Sequence, residues 1–350
     1  MAEIQILEHP LSTPDVIEAG FMDVIVREGV FTSGAFQYAL PKLWSVETIG
    51  ADHIPSATNP ILRLAFAAPG TTAALGASHD AYVNLWCAFL PRVMNGSDWL
   101  RTWAKTQGFD IAAFRELPTP NGIMGDAVFL SQETGRLHRM LTVKDGDLVF
   151  LIDGSIDPKG DADNLWLQEF ALIAASRFKL LAPSGTKYAE AMGEQSLKSS
   201  LGEAAFFLPQ SWASEPTADV PRYGASAVFK HKRDEIVTGT LVASLGALDI
   251  KPEALEESLL AKLKPQGVRL DNAQLILEGT KGASKFSAHI RRGTTVDGQR
   301  VTLLCLRNIT SSLPLSITLL SPAADTDFES WAINRRVFEI ILESHAAGVV

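Results

Sequence analysis

Phe36-Gln37-Tyr38-Ala39-Leu40-Pro41-Lys42-Leu43-Trp44-Ser45-Val46-Glu47 returns, 168 residues further on, as Ala205-Phe206-Phe207-Leu208-Pro209-Gln210-Ser211-Trp212-Ala213-Ser214-Glu215. Both stretches hold Leu-Pro-x-x-Trp with a Glu three residues beyond the Trp. A missed internal repeat misassigns a whole fold, so the repeat governs every later reading. One short match arises by chance, and the order of the elements downstream of each copy decides the matter.

Strand-like sequence comes after each copy, and then a short amphipathic helix, at residues 99–103 and again at residues 252–264. In the second helix Leu255, Leu259, Leu260 and Leu263 recur at the spacing that places them on one face. The pair Glu256-Glu257 falls on the opposite, solvated face. A glycine closes each helix, Gly108 or Gly267, as expected where a left-handed residue ends a helix. Three strands and two tight turns come next. In the first copy the strands are 126–130, 137–143 and 148–152, with turns at Glu133-Thr134-Gly135 and Asp145-Gly146. In the second they are 273–278, 285–291 and 301–307, with turns at Lys281-Gly282 and Asp297-Gly298. Asp-Gly between alternating apolar residues favours a two-residue hairpin turn, because both central positions need positive φ. Each copy closes with Asp-x-Asp and an apolar helix, at 166–181 and 331–344, the acids serving as helix caps.

The expected fold is α+β: two tandem copies of an antiparallel sheet packed against helices, with an extra N-terminal helix. Ile17, Phe21, Val24 and Ile25 suggest that helix within residues 14–30, and no counterpart in the second copy is evident. The expected divisions are an N-terminal helical extension at 1–35, a first repeat at 36–183, a Gly- and Ser-rich linker at 184–203 and a second repeat at 204–350. A length of 350 residues, about twice the usual domain, agrees with two domains. Copies joined by a short linker meet at high effective concentration, so the pair is expected to form an intramolecular pseudo-dimer.

Composition narrows the partners. Hydrophobic residues at 46% and charged residues at 20% are globular values. The net charge is −9, with 13 basic and 21 acidic residues up to Pro183 and 18 and 19 after it. Nucleic-acid binding calls for a concentrated basic face. The basic clusters are Lys230-His231-Lys232-Arg233, Arg291-Arg292 and Arg335-Arg336, read as solvated faces, and no nucleic-acid partner is expected. The apolar window 61–77 is broken by Arg63, Pro69, Gly70 and Gly76, so no membrane insertion is expected. The first nine residues lack the pattern of a secretory signal, which makes the expected location cytoplasmic. Cys87 and Cys305 read as buried free thiols.

The phrase begun by Tyr38 or Phe206, with hairpin, helix, meander and closing helix behind it, resembles the superfamily of the PsbP, DcrB and Ran-binding Mog proteins. The resemblance covers residues 36–181 and 206–344. It implies an antiparallel sheet with packed helices and a role in binding proteins. One bacterial branch, the Eag-type chaperones of type VI secretion, implies more narrowly a cup for apolar segments of secreted clients. This chain is twice as long as members of that branch and carries the extra N-terminal segment.

Catalytic signatures are missing. There is no Gly-x-Ser-x-Gly, and the glycine-bounded stretch 70–78 lacks the Lys of a phosphate-binding loop. The seven histidines show no zinc spacing, and Asp157, Asp161 and Asp163 lack the rest of a calcium loop, so no cofactor or metal is expected. His138 and His289 occupy similar places before their Asp-Gly turns and read as polar positions on a solvent face. The function expected is a non-catalytic, protein-binding accessory factor, a chaperone or adaptor for a secreted or membrane-segment-bearing protein. The alternatives are a structural subunit of a larger assembly, or an enzyme with an unrecognised site. Leu40, Trp44, Leu208 and Trp212 are the candidate partner-binding residues, weighed against core packing.

Overall fold

The computed structural model describes residues 4–28, 30–49, 53–70, 81–158, 161–215, 224–247, 250–264, 267–281, 284–310 and 313–346. It divides into two compact units, Met1–Ala189 and Glu190–Val350. Among the described residues the protein is α+β, with five helices and four sheets whose strand pairs are antiparallel.

In the first unit an irregular arm leads to α1 (Pro14–Gly20), β1 (Phe21–Val26), β2 (Phe36–Pro41), β3 (Trp44–Thr48), β4 (Ile61–Pro69) and β5 (Tyr82–Phe89). Then come α2 (Gly96–Thr106), β6 (Phe109–Thr119), β7 (Gly122–Ser131), β8 (Leu137–Asp145), β9 (Leu148–Ile156), α3 (Asp161–Ser176) and β10 (Lys179–Leu180). The large sheet runs β3-β4-β5-β9-β8-β7-β6, and β1-β2-β10 form a small one. Helix α3 packs on β9, β8 and β2, whereas α2 packs on β6, β7 and β8. As a result β8 and β9 are covered from both sides, and the apolar core between α3 and the sheet takes in Leu85, Val128, Phe150, Ile152, Leu167 and Phe170.

The second unit runs β11 (Met192–Ser199), β12 (Gly202–Pro209), β13 (Trp212–Glu215), β14 (Ala225–Arg233), β15 (Ile236–Leu245) and α4 (Pro252–Leu263). It continues with β16 (Arg269–Leu270), β17 (Gln274–Lys281), β18 (Ser284–Thr294), β19 (Arg300–Thr310), β20 (Leu313–Pro322) and α5 (Phe328–Ala346). Its large sheet runs β13-β14-β15-β20-β19-β18, with β16 and β17 both pairing to β18, and β11-β12 form a separate pair. The order of strands is that of the first unit, with β16 and β17 together where β6 stands.

Two local features also match. Lys42 N–H donates to Gly20 O at 2.8 Å, and Gln210 N–H donates to Ala191 O at 3.0 Å. The Leu-Pro-x-x-Trp phrase is therefore a corner, tied at its first variable residue, that carries the chain from a small sheet into a large one. In addition, β6 is shifted between Ile111 and Ala113 against β7, and β17 between Leu275 and Leu277 against β18.

Several expectations change. The N-terminal helix spans only Pro14–Gly20, because Val24, Ile25 and Val26 are β-branched neighbours that favour a strand, here β1 on β2. The counterpart of β1 is β11, which lies inside the expected linker 184–203. Only Leu197 of β11 is buried, so the strand's polar composition hides it in the sequence. The remainder of that stretch is anchored too: Ser184 N–H and Oγ donate to Asp145 at 2.7 and 2.9 Å. The two meanders correspond one strand out of step with the expected match. By strand order, 137–143 in β8 answers to β19, not to 285–291 in β18, and the Asp145-Gly146 turn answers to the β19–β20 connection. The stretch 71–78 and the side chains of Asp161 and Asp163 lie outside the described residues.

Candidate functional site

Leu40, Trp44, Leu208 and Trp212 are all buried. Trp44 packs on Phe170 and Trp166, with ring centroids 5.6 and 6.3 Å away. Trp212 stacks on His231 at 5.7 Å, and its ring leaves no room for a side chain at Gly239. These four side chains fill the cores beside the two corners and hold the corners in place.

His138 sits in a different setting from the one its spacing suggests. It is buried, and its Nδ1 lies 2.8 Å from Asp153 Oδ1 while its Nε2 lies 3.4 Å from Ser155 Oγ. Asn84 Nδ2 donates to Asp153 Oδ2 at 3.2 Å, and Arg136 Nε donates to Ser155 Oγ at 2.9 Å. Neighbouring strands bring these residues together, since β9 places Asp153 and Ser155 two apart on one face and β8 places His138 opposite Ser155. Serine, histidine and aspartate in this chain form the hydrogen-bonded line that a hydrolase uses. Ser155 is wholly enclosed, however, and Phe109 lies edge-on to the imidazole at 4.8 Å. A nucleophile needs a path for its substrate, and none opens here.

His289 is not the counterpart of His138. The β6 and β17 irregularities align Phe129, opposite His138, with His289, opposite Cys305. In the second unit Cys305 therefore occupies the histidine's place, and Thr318, its partner on β20, that of Ser155. The line is confined to the first unit. Burial, with Arg307 nearby, pushes the His289 imidazole below its ordinary value.

Glu256, read as solvated, is buried beneath α4. It accepts from Arg291 Nε at 3.1 Å and from Arg307 Nε at 2.7 Å. Burial pushes its carboxyl up, but the two guanidiniums outweigh burial and hold it below its ordinary range. Arg336 and His231, placed by the sequence on solvated basic faces, are buried as well. Burial also pushes the thiols of Cys87 and Cys305 well above their ordinary range, as in inert core cysteines.

The surface feature that stands out is an edge. Strand β6 ends the first large sheet and carries Asp110, Arg115, Glu116 and Pro118, and Arg101 sits 3.7 Å over the Phe114 ring. Charges and a proline are the usual guards of a free edge. Strand β17 ends the second large sheet and presents Leu275, Ile276 and Leu277 in succession, 55%, 49% and 45% exposed. No charge interrupts that run, and among the described residues no strand pairs with its outer side. Sequence reasoning passes over this feature because an apolar triplet with both neighbours polar reads as an ordinary buried strand.

A cavity of about 140 Å³ lies between the β6–β7 turn and the start of α2, near Asn121, Thr142 and Lys144. It is smaller than a drug-sized pocket of ~300 Å³ or more. Among the described residues no group of His, Cys, Asp and Glu could hold a metal ion. No helix among them is long and apolar enough to cross a membrane.

No family model matches the chain, and no curated protein matches it. The resemblance to the PsbP, DcrB and Mog superfamily thus gains nothing from these comparisons. Among solved structures the chain is similar to the apo immunity protein TplEi of the T6SS of Pseudomonas aeruginosa. Identity is 11%, coverage is 91% of this chain and 96% of that one, and the TM-score is 0.22. DynU16, from the dynemicin biosynthetic locus, is 11% identical over 74% of this chain and 96% of its own, with a TM-score of 0.12. TM-scores this low establish neither a common fold nor a common activity.

Proposed function

We propose that this protein is a non-catalytic binding module whose ligand is another polypeptide, taken as an added strand along β17. The observation that carries the reading is the exposed apolar run Leu275-Ile276-Leu277 at the end of an antiparallel sheet, with Glu278 following it in the same strand. A free edge offers a row of unpaired N–H and C=O groups, and an extended segment pairs with them while its side chains meet the exposed apolar ones. Covering what remains exposed of the three side chains is worth about 1 kcal/mol each. The two units are further inferred to be copies of one domain, supported by their common strand order, the tied corner and the edge irregularity.

The narrower reading, a chaperone or adaptor for a secreted protein, rests on the family resemblance alone. Its test is co-expression with clients bearing apolar segments, scored by whether the full chain keeps them soluble and whether Leu275→Lys with Leu277→Lys removes that effect.

A hydrolase is the second reading, favoured by the Ser155–His138–Asp153 line. Enclosure of Ser155 weighs against it. A fluorophosphonate probe applied to the folded chain is expected to leave Ser155 unmodified, and stoichiometric modification at Ser155 would make the enzyme the better reading.

A further inference from the structure

The arm ahead of α1 lies in a groove of the first unit that grips its backbone. Gln168 of α3 uses both ends of its carboxamide: Oε1 accepts from Leu7 N–H at 2.6 Å, and Nε2 donates to Gln5 O at 2.9 Å. In an extended chain the carbonyl of one residue and the N–H two residues on point to the same side. The Gln168 amide therefore pairs with the arm as one residue of a neighbouring strand would. Arg139 Nη2 donates to Leu7 O at 2.8 Å, and Glu169 Oε1 accepts from Ser12 N–H at 2.6 Å. Ile4 and Ile6 pack against the main core.

The groove is built to stay polar underneath. Arg139 and Asp126 are wholly buried, and Arg139 Nε and Nη2 donate to the Asp126 carboxylate at 3.1 and 2.8 Å, where Arg115 Nε also donates at 2.7 Å. Arg139 Nη1 donates to Gln168 O at 2.7 Å, which fixes the guanidinium against α3. The bonds to Gln5 and Leu7 end on backbone within residues 4–8, which are free of bends, so they select an extended conformation there and not a side-chain sequence. Arm side chains take part through the two isoleucines and through a 3.9 Å approach of Glu8 to Arg115.

We propose that this groove is an exchangeable peptide site. Its ligand is an extended segment of a partner polypeptide with two apolar residues two positions apart, and the arm is the resident occupant that such a segment displaces. The inference concerns the first unit and does not depend on β17, so either can fail without the other.

The test uses the full chain carrying Ile4→Asp and Ile6→Asp, which frees the arm. Two labelled peptides serve as probes in fluorescence anisotropy: residues 1–12 of the wild type, and the same peptide with every residue except the two isoleucines replaced by serine or alanine. Both are expected to bind the variant within about tenfold of each other, and Gln168→Ala in that background is expected to weaken both at least tenfold. The wild-type chain should bind each more weakly than the variant does. Absence of binding to a variant with an unchanged cooperative melt would overturn the proposal, as would indifference to Gln168→Ala. So would binding of the native sequence alone, or a concentration-dependent dimer of the wild type that the free peptide dissolves, which would mean that arms exchange between copies. If the variant does not fold, amide exchange in the wild type decides. Leu7 and Ser12 N–H groups exchanging by local opening, well ahead of β9, support the proposal, and exchange as slow as that of β9 overturns it.

Discussion

Charged residues show most sharply how far an isolated side chain can be read. Glu256 stands beside Glu257 on a helix whose leucines repeat regularly, so spacing assigns both to water, yet Glu256 lies beneath the helix between Arg291 and Arg307. Its partners are 35 and 51 residues away, a distance that helical periodicity does not see. Breaking a buried ionic cluster costs about 3 kcal/mol, and Glu256→Gln is expected to cost about that much in urea unfolding. The pH dependence has a definite sign. The folded carboxyl titrates below its ordinary value of 4.5, so its stabilisation is full above that value and is lost as pH falls through the lower folded value. Between the two the unfolded chain binds the extra proton. Stability of the wild type should therefore fall more steeply on acidification than that of Glu256→Gln. Asp327 adds an acid-sensitive contribution of the same sign. Partial burial pushes it up, and the Ser330 hydroxyl and N–H, with Arg233, outweigh burial. This capping role is the one its position before α5 suggests.

At the scale of elements, what is legible depends on burial contrast. The Leu-Pro-x-x-Trp corners, both amphipathic helices and the closing helices carry strong apolar patterns, and all appear. Strand β6 escapes notice because an edge strand exposed along most of its length has little alternation, and its omission moves the whole second meander by one strand. Strand β11 escapes because its composition is polar, with only Leu197 buried. The contact between β15 and α5 is equally hidden, since Gly239 reads as a weak point in a strand. A Cβ there would come within 2.6 Å of Asn334 Oδ1 and 2.8 Å of the Trp212 ring. Gly239→Ala is thus expected to destabilise the second unit by about 2 kcal/mol, measurable as a lower melting temperature. In the first unit, Arg139→Met leaves Asp126 with Arg115 alone and strips the Leu7 carbonyl of its donor, while the Leu7 N–H keeps Gln168. It should cost about 3 kcal/mol and make the arm sensitive to protease at residues 8–12.

For the molecule as a whole, each unit carries a buried ionic cluster, Asp126 with Arg115 and Arg139 in one and Glu256 with Arg291 and Arg307 in the other. Glu256→Gln should accordingly lower the unfolding transition of residues 190–350 by hydrogen exchange while leaving β8 and β9 protected as in the wild type. The proposed binding sites lie where the two units differ. The first carries a groove filled by its own arm, and the second exposes the apolar run Leu275-Ile276-Leu277 at its edge. The edge does not show in composition, because it depends on which strand ends a sheet. The most direct measurement is to select ligands for the full chain from a displayed library of random twelve-residue peptides and map the bound peptide by backbone amide exchange. New protection at residues 274–281, lost in Leu275→Lys with Leu277→Lys while the protein remains folded, is the predicted result. Protection elsewhere with residues 274–281 unchanged, or a library that yields no ligand, would contradict polypeptide binding at this edge.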